Sequence, residues 1–161
     1  NVFLISEKEN TITARGNYKI QSHYTFKNHP TIDILIVVGG VHTGEVKKTN
    51  VIKWIEKQSK KAKIVASVCT GAFLLAESNV ITTHTVTTHW EDIEDLKKDY
   101  RSLNVVSDVR WVDEGDILTS AGISAGIDMS LHLVSKVHSL ELANKTAKQM
   151  QFDWSKNENR T

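Results

Sequence analysis

The sequence predicts a layered α/β domain with a mainly parallel sheet. Three observations carry this. Residues 32–38 (IDILIVV) and Ile64–Val68 (IVASV) are almost unbroken β-branched and apolar runs, the pattern of strands buried on both faces of a parallel sheet. Each run is followed within about ten residues by a segment whose apolar residues repeat at helical spacing. Strand-like and helix-like segments then alternate to the C-terminal end, which is how βα units stack into layers. At 161 residues the chain is expected to form one domain.

The elements follow in order. Residues 1–6 are a short apolar run expected to be a strand, and the next four (EKEN) a turn. Residues 11–14 read as an edge strand ended by Arg15-Gly16-Asn17, and residues 18–26 are mostly polar with no clear period. The strand over 32–38 stops abruptly at Gly39-Gly40. Thr49 or Asn50 can cap a helix reaching about Lys60, with Val51, Ile52, Trp54 and Ile55 on its apolar face and a basic end suited to a helix C-terminus. The basic stretch at 60–63 is therefore a solvated helix end. The strand Ile64–Val68 runs straight into a short apolar helix over 70–78. A brief strand is expected at 85–88, then an amphipathic helix over 90–100 with Ile93 and Leu96 inward. Strands are expected at 104–106, 110–112 and 116–119, the last two joined by a DEGD hairpin turn. Two helices follow, over 123–137 and about 140–152, and the polar tail from Trp154 is expected to fray.

Composition bounds the function. Hydrophobic residues make up 40% and charged residues 24%, as in ordinary soluble domains. A net charge of +1 gives no electrostatic reason to expect a nucleic-acid or membrane partner. No apolar run approaches the roughly 18 residues that span a bilayer. The first ten residues lack a basic region and a long apolar core, so they do not read as a signal peptide; the chain is expected to begin inside a larger natural domain. The single cysteine rules out an internal disulfide and fits a reducing, cytoplasmic setting.

That cysteine is the central feature. Cys69 sits where a buried strand passes into a helix with almost no loop. The turn lies at the C-terminal end of the sheet, where open α/β folds place ligands. The helix start beyond it favours negative charge on sulfur, and the Thr70 N–H is expected to face an oxyanion formed there. Gly71 and Ala72 keep the first turn slim. The plainer alternative is a small buried core residue; the elbow favours a functional thiol. Gly39 and Gly40 let the chain turn sharply and aim a second N–H at the same point.

Three segments carry a family resemblance: VCTGAFLLAES from Val68, TVTTHW from Thr85, and GDILTSAGISAGIDMSLHLV from Gly115. They resemble the ThiJ/PfpI branch of the class I glutamine amidotransferase-like superfamily, and more narrowly its isonitrile hydratase-like members. The same segments occur in ligand domains of AraC-type regulators. The resemblance covers nearly the whole chain. It implies a flavodoxin-like three-layer sandwich over 1–161 whose first strand and helix precede Asn1. It implies Cys69 as catalytic nucleophile with Thr70 beside it, Gly40 and Thr70 as backbone donors, and Gly39, His89, Ser120 and Gly122 around the pocket. It also implies a homodimer, a small-molecule substrate, and neither cofactor nor metal.

Two departures matter. Protease-like relatives have a histidine after the cysteine, where this chain has Thr70, which argues against peptidase chemistry. The acid that relatives hold over the thiol has no counterpart here and is expected before Asn1. The activities implied are isonitrile hydration, glyoxalase-like addition to a 2-oxoaldehyde, or a protease- or amidase-related hydrolysis. The non-enzymatic alternative is a ligand-sensing or redox-stress module of a transcriptional regulator.

Other candidates read as structural. His84 is expected to be bonded locally, Trp90 and Trp111 to serve packing, and Asp128 to accept N–H groups at the start of its helix. No histidine or cysteine spacing suits a metal.

Overall fold

The computed structural model describes residues 1–8 and 10–157. Its centre is a four-stranded sheet in the order β5-β6-β10-β9, formed by β5 (Ile34–Val37), β6 (Ile64–Val68), β9 (Trp111–Asp113) and β10 (Ile117–Ser120). The first three in space are parallel, and β9 runs antiparallel to β10 through the expected hairpin. Register brings the strand ends level: Val37 pairs with Ser67, and Ser67 with Thr119. Gly39, Cys69 and Ala121 therefore leave the sheet from one edge.

Helices cover both faces. On one side, Leu35, Val37 and Val65 pack with Val51 and Ile55 of α1 (Thr49–Ser59), Phe73 and Leu75 of α2 (Gly71–Glu77), and Ile93 and Leu96 of α3 (Ile93–Asp99). On the other, Ile64, Ala66 and Leu118 meet Met129 and Leu133 of α4 (Ala125–Val137). These are the three layers expected. In β6 the first four residues are buried, which explains its unbroken apolar run. In β5 burial alternates, and Ile36 is 42% exposed. The expectation of a strand buried on both faces is corrected there: β5 ends the sheet, and α4 covers β6 and β10 instead.

The N-terminal segment holds short strands set apart from this sheet. β1 (Ile5–Ser6) pairs in parallel with β4 (Tyr24–Thr25), and β2 (Thr11–Thr13) forms a hairpin with β3 (Lys19–Gln21). The polar stretch 18–26 thus contains two strands that periodicity does not reveal, because β3 is exposed throughout. Phe26 stacks on Trp54 of α1 at 4.1 Å, tying this segment to the body. β7 (Thr85–Val86) pairs with β8 (Asn104–Val105) beside the main sheet. α5 (Leu140–Gln149) packs on α4.

The tail does not fray where it is described. The indole of Trp154 donates to the Asp128 carbonyl at 3.1 Å, the Ser155 N–H to the Asp128 carboxylate at 2.7 Å, and the Asn157 amide to the Trp111 carbonyl at 2.8 Å. Residues 158–161 of the predicted fraying tail lie outside the described residues. No helix of the described residues is long and apolar enough to cross a membrane.

Candidate functional site

Cys69 occupies a left-handed backbone conformation, φ +56°, between the end of β6 and the start of α2 at Gly71. A non-glycine residue there carries a cost on the order of 1–3 kcal/mol and persists only where its surroundings hold it. The main chain supplies that hold. The Cys69 N–H donates to the Ser120 carbonyl at 3.1 Å, and its carbonyl accepts the Thr88 hydroxyl at 2.9 Å. The thiol is free and half-buried.

The glycines fit around this turn because two chain segments touch there. A Cβ on Gly39 would lie 2.8 Å from Cys69 Cβ, the Thr70 nitrogen and the Val68 oxygen. A Cβ on Gly71 would lie 2.2 Å from the Val37 carbonyl oxygen. The end of β5 is thus seated against the first turn of α2, and no side chain fits between them.

Thr70 closes the junction differently from expectation. Its hydroxyl accepts the Gly40 N–H at 3.0 Å and donates to the Gly40 carbonyl at 2.8 Å. The Gly40 N–H, expected as a second backbone donor, is therefore engaged by the Thr70 hydroxyl, which holds the turn after β5. Gly40 has φ +152°, within the range that favours glycine. The Thr70 N–H has no hydrogen-bond partner among the described residues.

His89 stands on the far side of the elbow. It follows Thr88 in the chain and precedes a short 3₁₀ turn, Trp90–Asp92, where its Nδ1 accepts the Glu91 N–H at 3.4 Å. Asp92 Oδ2 lies 3.5 Å from the same nitrogen. The ring lies against Gly122, where a Cβ would fall 2.0 Å from its Cδ2. Ser120 is fully buried; its carbonyl takes the Cys69 N–H, while its hydroxyl donates to the Ser67 carbonyl at 3.4 Å. The seven residues singled out by sequence, Gly39, Gly40, Cys69, Thr70, His89, Ser120 and Gly122, thus gather at one edge of the sheet.

A cleft of about 360 Å³ adjoins them, lined in part by Thr88 and Ala121, with Trp90, Glu94 and Asp108 among its walls. Trp90 is 75% exposed, so the expectation that it serves packing is corrected: it is the first residue of a surface turn that His89 caps. A second cavity of about 470 Å³ lies at the opposite end of the strands, around Val65 and Asp116, away from the elbow. Sequence reasoning missed Thr88 as a clamp on Cys69, although its signal was present in two threonines before His89.

The remaining candidates are structural. His84 accepts the Thr82 N–H at 3.2 Å. Trp111 is buried and stacks on His132 at 3.9 Å. Asp128 is fully buried, but its partners are the Arg110 guanidinium and the Ser155 N–H rather than N–H groups of its own helix start. Asp113 accepts from His132 at 2.7 Å and from Lys136 at 2.9 Å. Burial pushes its carboxyl up, and these hydrogen bonds outweigh burial and hold it below its ordinary value. Among the described residues, no three of His, Cys, Asp or Glu are grouped to hold a metal.

The chain is 28% identical over 142 residues to an isonitrile hydratase of Pseudomonas putida, covering 88% of this chain and 61% of that protein. It is 30% identical over 117 residues to the HTH-type transcriptional regulator CdhR of Pseudomonas aeruginosa, covering 73% of this chain and 34% of that one. It therefore spans less than two thirds of the length of both relatives. A crystal structure of a ThiJ/PfpI family protein from Pseudomonas syringae superposes with a TM-score of 0.86 at 20% identity, covering 99% of this chain and 66% of that one. The DJ-1/PfpI family model matches residues 1–136, and the chain belongs to that family.

Proposed function

We propose that this domain is a cofactor-free cysteine catalyst that adds water to a small electrophilic carbon, with an isonitrile as substrate and an N-substituted formamide as product. The observation that carries the reading is the strained elbow: Cys69 at φ +56°, its main chain fixed by Ser120 and Thr88. Backbone strain held at a strand-to-helix turn presents a nucleophile. The similarity to an isonitrile hydratase supports the substrate.

The sulfur attacks the terminal carbon of R–N≡C, and that carbon takes a proton, giving the thioimidate R–N=CH–S–Cys69. Water adds to the same carbon, nitrogen gains a proton, and the tetrahedral centre expels the thiolate to leave R–NH–CHO. The sum is one isonitrile and one water to one formamide. Negative charge developing beside the sulfur meets the unpartnered Thr70 N–H. In this reading His89, whose ring packs against Gly122 after β10, carries protons to and from the site.

A second reading keeps the site and drops the turnover. Regulators match as well as the enzyme does, at 30% identity for CdhR. In that reading the cleft binds a small molecule without transforming it. Product analysis separates the two. The enzyme reading expects formamide from an alkyl isonitrile, no D-lactate from methylglyoxal, and loss of formamide in Cys69→Ala. Lactate formation instead would move the assignment to glyoxalase-like chemistry. Absence of any product from either compound, with the parent protein folded, would favour the sensor.

A further inference from the structure

The tail after α5 is held by hydrogen bonds that converge on two residues, Asp128 and Trp111. The Trp154 indole donates to the Asp128 carbonyl at 3.1 Å, and the Ser155 N–H donates to Asp128 Oδ1 at 2.7 Å. The Trp111 indole donates to the Ser155 carbonyl at 3.4 Å, and the Trp111 carbonyl accepts the Asn157 amide at 2.8 Å. Asp128 is fully buried, and its second oxygen, Oδ2, takes the Arg110 Nε–H. A buried carboxylate is tolerated only where donors meet its charge. Here the tail supplies one donor and Arg110 the other.

Arg110 faces the elbow as well as the tail. Its Nη2 donates to the Ser124 hydroxyl at 3.2 Å, and its carbonyl accepts the Ala121 N–H at 2.9 Å. The same turn holds the elbow from the other side: the Ser120 carbonyl accepts the Cys69 N–H at 3.1 Å, and Gly122 seats the His89 ring. The turn from Ser120 to Ser124 therefore stands between Cys69 and Arg110. When the tail departs, Asp128 Oδ1 loses its donor. The guanidinium is then drawn to both carboxylate oxygens, or follows the carboxylate towards water, and either motion takes it from Ser124. Cys69, at φ +56°, keeps its conformation only while its surroundings hold it. We propose that the segment Trp154–Asn157 is a latch on the elbow: docked, it fixes the turn and the left-handed Cys69; released, it loosens both. By linkage, a ligand or modification at the elbow that displaces this turn weakens tail docking by the same factor. The latch acts on the shape of the elbow and holds whether Cys69 turns over a substrate or only senses one.

Backbone amide exchange, read by NMR on the full chain, tests the latch without relying on the thiol. Trp154→Phe with Ser155→Pro removes both tail donors to Asp128 and touches no residue of the sheet. Three amides are followed. Cys69 and Ala121 report the elbow and its turn. Val65, which donates to the Asp116 carbonyl at 2.8 Å, reports the opposite end of β6. A loss of global stability speeds every amide that exchanges through unfolding by one factor, so the quantity read is the rate at Cys69 and Ala121 relative to Val65. That ratio is expected to rise about fivefold or more in the double variant, the lower end of coupling between distinct sites. Asn157→Gly keeps the φ of +56° and removes the amide donor to Trp111; it is expected to raise the ratio by a smaller factor. A ratio unchanged in both variants overturns the latch, because the tail then contributes only to global stability. Should the double variant not fold, the ratio in Asn157→Gly alone decides.

Discussion

The left-handed Cys69 is kept in place by contacts that leave no room for a methyl group, which makes the flanking glycines sensitive probes. Gly71→Ala forces a Cβ to 2.2 Å from the Val37 carbonyl oxygen, a backbone atom that cannot rotate away. Overpacking of that kind costs roughly 1–3 kcal/mol, or about 2–12 °C in a domain of this size. Thermal melting of Gly71→Ala against the parent measures it. Thr70 offers a second probe, because its hydroxyl serves both polar groups of Gly40. Thr70→Ser keeps that bridge and is expected to stay within about 0.5 kcal/mol of the parent. Thr70→Val removes it, and because Gly40 is exposed its backbone groups can turn to water, so the loss is expected to be that of an ordinary hydrogen bond, about 0.5–1.5 kcal/mol. Chemical denaturation of both variants reads the difference. Equal stability of Thr70→Val and the parent would show that the bridge is not needed.

At the scale of elements, α4 is fastened to its surroundings by carboxylates at both ends of its packed face. Near its start, buried Asp128 joins Arg110, before β9, to the tail at Ser155. Removing the charge from one member of such a pair strands the other, so Asp128→Asn is expected to cost about 3 kcal/mol by denaturant titration, and trimming the chain after Phe152 to lower the same midpoint. One helical stretch further on, Asp113 of β9 holds His132 and Lys136. Its carboxyl pKa is lowered on folding, so its contribution is fully present above the unfolded value of 3.8 and is lost as pH falls through the lower folded value. Stability measured across that acid range should decline less steeply in Asp113→Asn than in the parent. An unchanged slope would mean the Asp113 cluster does not couple to folding.

For the molecule as a whole, the sheet and its helices were legible because burial on both faces leaves an unbroken apolar run, as in Ile64–Val68, and because α1 and α3 keep a helical spacing. The exposed β2–β3 hairpin left no such trace: Lys19, Ile20 and Gln21 alternate without a buried face. The tail misled for a related reason. Its polar residues looked solvated, yet their partners, Asp128 and Trp111, lie far away in sequence. The candidate site was legible as a set of residues, since Gly39-Gly40, Cys69-Thr70 and His89 each stand at the end of a recognisable strand. Their hydrogen bonding was not: that the Thr70 hydroxyl would occupy Gly40, and that Thr88 would clamp Cys69, depends on how β5, β6 and β7 are stacked.

The claim on which the functional account turns is that the fold makes Cys69 more reactive than an unstructured cysteine. The second-order rate of iodoacetamide alkylation at neutral pH, read by intact mass on native protein and on the same protein unfolded in urea, tests it directly. The account predicts that native Cys69 reacts several-fold faster than the unfolded chain. A native thiol that reacts more slowly than the unfolded one, or not at all, would contradict it.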